Sequence, residues 1–136
     1  MSVPPGLPPG YPFKPEYEVT PREAKAALAS AAPPVVLDVR GPEEFAAARI
    51  EGATLIPLHE LESRLDEVEE LAGDKSAPIV VHCHHGVRSM RAALLLRAHG
   101  FAGAKSMAGG IDLWSADVDP SVPRYDTGTG RVVVRR

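Results

Sequence analysis

Short apolar runs rich in β-branched residues alternate along this chain with stretches whose apolar positions recur every three or four residues. Val35-Val36-Leu37-Asp38-Val39 is a run of the first kind, as expected of a strand buried on both faces of a parallel sheet. Ala53 to Ile56, Ile79-Val80-Val81-His82 and Ala104 to Met107 predict three further strands. Between them the period lengthens. Thr20-Pro21-Arg22-Glu23 has the form of a helix start, with Thr20 as N-cap and Glu23 able to complete a capping box, ahead of an alanine-rich helix to about Ser30 that Pro33-Pro34 ends. Glu43 to Ala48 predicts a short helix. Leu58, Leu61, Leu65, Val68 and Leu71 mark one face of another, which Gly73 stops. Ser89 to His99 predicts a helix closed by Gly100, and Gly109-Gly110 a tight turn before a helix whose Trp114 reads as core. Such alternation predicts an α/β domain with a parallel sheet, whose ligands sit beyond the carboxyl ends of the strands.

The length of 136 residues suits one domain with one core, and the apolar and charged fractions, 44% and 24%, are those of a soluble globular protein. Six of the 14 prolines fall in residues 1–16, so that stretch is expected to be an extended arm, with the domain proper over 17–125 and a tail over 126–136. A net charge of -3 gives no electrostatic reason to bind nucleic acid or an anionic membrane. The amino terminus lacks a basic segment followed by an apolar run, and no window approaches membrane-spanning length, so a cytoplasmic monomer is the expectation.

Only one cysteine is present, which excludes an internal disulfide, a CxxC redox pair and a zinc site needing two thiolates. It stands in an unusual place. Cys83 follows an apolar strand and precedes a helix, so His84-His85-Gly86-Val87-Arg88 is a short strand-to-helix loop closed by Ser89. Backbone N–H groups at a helix amino terminus have no intrahelical partners, and with the helix dipole they favour an anionic sulfur. Gly86 lets the backbone turn so that successive N–H groups point inward. A lone cysteine is commonly an inert buried hydrophobe. Here Arg88 argues otherwise, because a cation in the first helical turn opposes the dipole unless an anion occupies the space between. The run His82-Cys83-His84-His85 also invites a metal reading, but neighbours on a strand point to opposite faces and cannot easily converge on one tetrahedral ion. No metal and no cofactor is expected.

The segment Cys83-His84-His85-Gly86-Val87-Arg88-Ser89 resembles the active-site loop of single-domain rhodaneses. Leu37-Asp38-Val39-Arg40, Glu44-Phe45, Ile50-Glu51-Gly52-Ala53 with Ile56-Pro57-Leu58, and Gly109-Gly110-Ile111 with Trp114 resemble family positions in the same order. The resemblance runs from about Glu18 to Tyr125. Val118 to Tyr125 is further similar to the end of rhodanese domains fused to the adenylyltransferases of molybdopterin and thiamine biosynthesis, which load sulfur onto ubiquitin-like carriers. It implies a sheet of about five parallel strands with helices on both faces. It also implies a sulfurtransferase in which Cys83 takes sulfane sulfur from a donor such as thiosulfate, or from a cysteine desulfurase as protein partner, and passes it, as a persulfide, to cyanide, a thiol or a sulfur-carrier protein. His84, His85, Gly86, Val87, Arg88 and Ser89 would surround the substrate. Asp38 and Arg40 would support the loop from the neighbouring strand end, against the plainer reading of a simple ion pair. Arg49 departs from the family, which often has histidine there.

Two other classes of function compete. A rhodanese-like fold can serve as a binding or sulfur-relay module without turnover on small molecules. A cysteine phosphatase or arsenate reductase of related fold also sets cysteine and arginine around an anion. Its loop is one residue longer than the four between Cys83 and Arg88, and no carboxylic acid lies within this loop to protonate a leaving group.

Overall fold

A computed structural model describes residues 3–135. Five strands, β1 (Glu18–Val19), β2 (Val35–Asp38), β3 (Thr54–Leu55), β4 (Ile79–His82) and β5 (Ala104–Met107), form one parallel sheet in the order β1-β5-β4-β2-β3. Four of these are the apolar runs legible in the sequence. The fifth, β1, escaped periodicity because it has two residues; it exists by pairing Glu18 with Ser106 and Val19 with Met107 at the sheet edge.

Helices cover both faces, as expected of a parallel sheet. On one, α3 (Leu58–Leu61), α4 (Leu65–Ala72) and α5 (Val87–Ala98) bring Leu61, Val68, Ala92 and Leu96 against Leu37, Ile79 and Val81, all at most 1% exposed. On the other, α1 (Pro21–Leu28) and α6 (Gly110–Asp117) bring Ala24, Ile111 and Trp114 against Val80 and Met107. The alternation Ile79/Val80/Val81 is thus split between two cores, as successive strand residues must be.

The capping box at α1 forms in full: Thr20 Oγ1 accepts from Glu23 N at 3.0 Å, and Glu23 Oε1 accepts from Thr20 N at 2.8 Å. A single helix was expected from Leu58 to Leu71, but the chain breaks into α3, a 3₁₀ turn over Glu62–Arg64, and α4. Ser63 turns its hydroxyl back on the Glu60 carbonyl, a bond that competes with regular helix, and Leu71 leaves the core at 44% exposure. The proline-rich stretch makes turns and buries Leu7, and the segment after α6 ends in a two-stranded ribbon, β6 (Tyr125–Asp126) with β7 (Val133–Val134). Among the described residues, no helix is long and apolar enough to cross a membrane.

Register fixes what lies at the carboxyl ends. β2 and β4 pair Val35 with Ile79 through Asp38 with His82, so Asp38 and Cys83 emerge at the same end of the sheet on adjacent strands. Leu37 sits mid-strand at 0% exposure, and Leu37→Ala is expected to cost about 2–5 kcal/mol in urea unfolding.

Candidate active site

Cys83 is the first residue beyond β4, and α5 starts four residues later behind Gly86, whose φ of 105° is open only to glycine. This turn folds the loop around the sulfur. Gly86 N donates to Cys83 Sγ at 3.1 Å and Ser89 N at 3.3 Å, while the thiol lies 3.4 Å from Ser89 Oγ. Ser89 is fully buried and its hydroxyl shares a 2.7 Å bond with Ser106 on β5. The sulfur therefore rests at the amino end of a 12-residue helix, facing two amides and a hydroxyl, and is 1% exposed.

The loop residues diverge in direction. His85 stands exposed, 3.9 Å from Asp112, and Val87 is 71% exposed. His84 turns inward and is buried, although the resemblance implied a place for it around the substrate. Its ring stacks on Tyr125 at 4.0 Å between centroids, and its Nε2 lies 3.1 Å from the Tyr125 carbonyl, a buried position where desolvation lowers its pKa. A flat aromatic face with an adjacent carbonyl, supplied by a segment more than forty positions downstream, has no local signature.

Arg88 departs from expectation in its partner. An anion was inferred between the helix start and this cation, and the chain itself provides one: Glu44 of α2 (Pro42–Ala47) takes both guanidinium nitrogens, at 2.7 and 2.9 Å. Glu44 also accepts from Tyr125 Oη at 2.7 Å and from Gly41 N at 3.3 Å. Burial would raise its pKa, but the bonds from Arg88 and Tyr125 prevail and bring it down to about 2. Glu44 had been read only as a family position, since an acidic residue in the first turn of a helix is ordinary by itself.

Asp38 and Arg40 form no surface pair. Both are 0% exposed, joined by Nε to Oδ1 at 2.9 Å and Nη2 to Oδ2 at 2.6 Å. Arg40 also donates to the carbonyls of Glu44 and Ala48 and to Tyr125 Oη, so its guanidinium is fully engaged. One network thus joins Asp38, Arg40, Tyr125, Glu44 and Arg88, from the end of β2 to the first turn of α5. Arg49 lies apart from this network in the contacts it makes, with its guanidinium 5.0 Å over the Phe45 ring.

His82 lies beside this network, with Nε2 3.7 Å from Asp38 Oδ2 and no hydrogen-bond partner for either ring nitrogen. Burial outweighs the attraction of Asp38 and pushes its pKa down to about 4. The three neighbouring histidines point to Asp38, Tyr125 and Asp112 respectively. No group of three or more metal-ligating side chains converges among the described residues.

A groove of about 410 Å³ beside Arg88 is lined by Arg40, Glu44 and Leu58, and one of about 580 Å³ lies between Arg88 and Glu43 and the ribbon residues Thr127 and Val132. These lie on the side of the Glu44 pair. A third, of about 300 Å³, is walled by Tyr11, His85, Asp112 and Leu113.

Residues 20–117 match the rhodanese-like domain family. The chain is 43% identical over 110 residues to the adenylyltransferase and sulfurtransferase MOCS3-2 of Zea mays, covering 79% of this chain and 23% of that protein. It thus spans under a quarter of the length of that relative. It is 34% identical to the thiosulfate sulfurtransferase GlpE of Ectopseudomonas mendocina, covering 72% of this chain and 84% of the relative. Among solved structures it resembles the human single-domain sulfurtransferase TSTD1, with a TM-score of 0.65, 33% identity, and coverage of 73% of this chain and 95% of the other.

Two outcomes follow from the buried charges. Arg40→Met leaves the fully buried Asp38 carboxyl without its partner, and is expected to cost about 3–5 kcal/mol in chemical denaturation. His82 titrates lower folded than unfolded, so its contribution is present above pH 6.5 and lost as the pH falls through about 4. Because His82 makes no hydrogen bond to lose, His82→Leu is expected to flatten the fall in unfolding free energy across that window, read by urea titrations at several pH values.

Proposed function

As the chain belongs to the rhodanese-like family, within which its sulfurtransferase relatives fall, we propose that it moves sulfane sulfur through a persulfide on Cys83. The observation that carries this reading is the sulfur itself, held by Gly86 N and Ser89 N at the amino end of α5. Amides fixed in that geometry stabilise an anionic sulfur without reorganisation. In the first half-reaction the Cys83 thiolate attacks the outer sulfur of thiosulfate. A new S–S bond forms, the donor's S–S bond breaks, and its electron pair leaves on sulfite. In the second, a nucleophile such as cyanide or a thiol takes the outer sulfur and the thiolate is restored. Atoms and charge balance with no added oxidant or reductant.

Arg88 fits a structural part in this cycle better than a binding one, because Glu44 already occupies the guanidinium and neutralises it. With its pair anchored through Tyr125 to Arg40, it fixes the first turn of α5 and thereby the Ser89 amide. His85 and Val87, exposed on the loop, are the residues we assign to the approaching substrate. Asp38 and Arg40 hold the network from beneath.

The sulfur's burial favours a second reading for the acceptor and donor: a slender protein tail or a protein-bound persulfide, supplied by a sulfur-carrier protein or a cysteine desulfurase, in place of freely diffusing small molecules. A single thiol that has to stay reduced between turnovers suits a monomer in the cytoplasm.

The test is intact-protein mass spectrometry without reductant. Incubation with thiosulfate is expected to add one sulfur atom, and cyanide to remove it; Cys83→Ser should gain none and remain folded. No gain from thiosulfate, but a gain from a cysteine desulfurase with its substrate, would establish the relay reading. No gain from either would remove sulfur transfer as the function.

A further inference from the structure

Tyr11 lies outside the matched residues 20–117, in the proline-rich stretch, yet its phenol reaches the edge of the catalytic loop. Its oxygen accepts from Gly109 N at 3.0 Å and its hydroxyl donates to Glu18 Oε2 at 3.3 Å. Glu18 is itself held: it is buried at 5% exposure, and its Oε1 accepts from Lys14 N at 2.8 Å. Burial, foremost, and the neighbouring carboxylate raise the phenol's pKa and keep the proton in place. The stretch is secured elsewhere as well, since Arg97 donates to the Glu16 carbonyl and Lys105 to the Pro15 carbonyl.

What Tyr11 grips is the turn on which the loop leans. Gly109 and Gly110 lead into α6, whose first amides bond the loop backbone: Ile111 N donates to the Cys83 carbonyl at 2.8 Å and Asp112 N to the His84 carbonyl at 3.1 Å. The approach at Gly110 is so close that a Cβ there would fall 2.6 Å from the Cys83 carbonyl oxygen. On the other side, a Cβ on Gly86 would lie 3.3 Å from Gly109 N and 3.6 Å from Tyr11 Oη. Gly86 is the residue whose amide faces the sulfur. Hydrogen bonds join Glu18 to Tyr11 and Tyr11 to Gly109, and Gly109 stands so near Gly86 that a side chain there would crowd it.

We propose that Tyr11 is a positioning residue of the site. By accepting the Gly109 amide while anchored on Glu18, it fixes the Gly109-Gly110 turn against Gly86 and so aims the loop amides at Cys83 Sγ. Tyr11 also walls the groove of about 300 Å³ beside the exposed loop residue His85. This deepens the sulfur-transfer reading and rests on it for its biological meaning.

The test reads the thiol directly, without sulfur transfer. The rate of Cys83 alkylation by iodoacetamide is followed from about pH 5 to pH 10 for the parent and for Tyr11→Phe, which keeps the ring and removes only the hydroxyl. The midpoint of the profile is expected to move upward and the rate at neutral pH to fall roughly threefold or more, as the loop amides lose their aim. Glu18→Gln weakens the phenol's anchor and should move the profile the same way by less; it serves alone if Tyr11→Phe does not fold. A lower melting temperature with an unmoved profile would overturn the proposal and leave Tyr11 a packing residue. If the profile moves while thiosulfate and desulfurase both fail to load sulfur, the positioning role stands and the sulfur-transfer reading falls.

Discussion

The guanidinium of Arg40 is fully buried, and the site hangs from it. Five donors have to be satisfied by protein alone, and they are met from three segments: the Asp38 carboxylate on its own strand, the carbonyls of Glu44 and Ala48 around α2, and the hydroxyl of Tyr125 after α6. A planar fork of fixed geometry accepts those partners in one arrangement only. The ion pair at its centre gains little over apolar packing, because two charges have been taken out of water. Its consequence is that α2 and the segment after α6 are set at defined positions beyond the carboxyl ends of β2 and β4.

From there the constraint passes to the sulfur loop through Tyr125. That residue donates its hydroxyl to Glu44, stacks its ring under His84, and offers its backbone carbonyl to the same histidine. Glu44, so placed, takes Arg88 in a two-pronged pair and balances the cation that the first turn of α5 would otherwise oppose. The two arginines thus do different work: one organises from inside, the other is organised. On the opposite flank the amides of α6 bind the carbonyls of Cys83 and His84, so the loop backbone is held by its oxygens while its own N–H groups remain free to face the sulfur.

This division explains how a sulfur with 1% exposure can sit in a polar setting without a neighbouring acid or base. Its partners are amides and a serine hydroxyl, dipoles suited to a negative charge on the cysteine sulfur. Neither would need to change protonation in the transfer proposed above. The carboxylates nearby, Asp38 and Glu44, are spent on holding the frame through their arginine partners.

Much of this was legible in the chain. The apolar runs gave four of five strands, the Thr20-Pro21-Arg22-Glu23 start of α1 formed its capping box, and Cys83 with Gly86 between a strand and a helix named the site, because these features depend on residues close in sequence. The wish of Arg88 for an anion was also visible, since the helix dipole is a local property. Which anion answers it was not, because Glu44 is brought there by α2 packing 44 positions away. The edge strand β1, the turn of His84 onto Tyr125, the break in the helix after Leu61 and the hold of Tyr11 on Gly109 were decided by the tertiary structure alone. Each depends on a partner that only the folded sheet and its covering helices carry into reach, and neither periodicity nor local propensity records a contact between segments that the chain keeps apart.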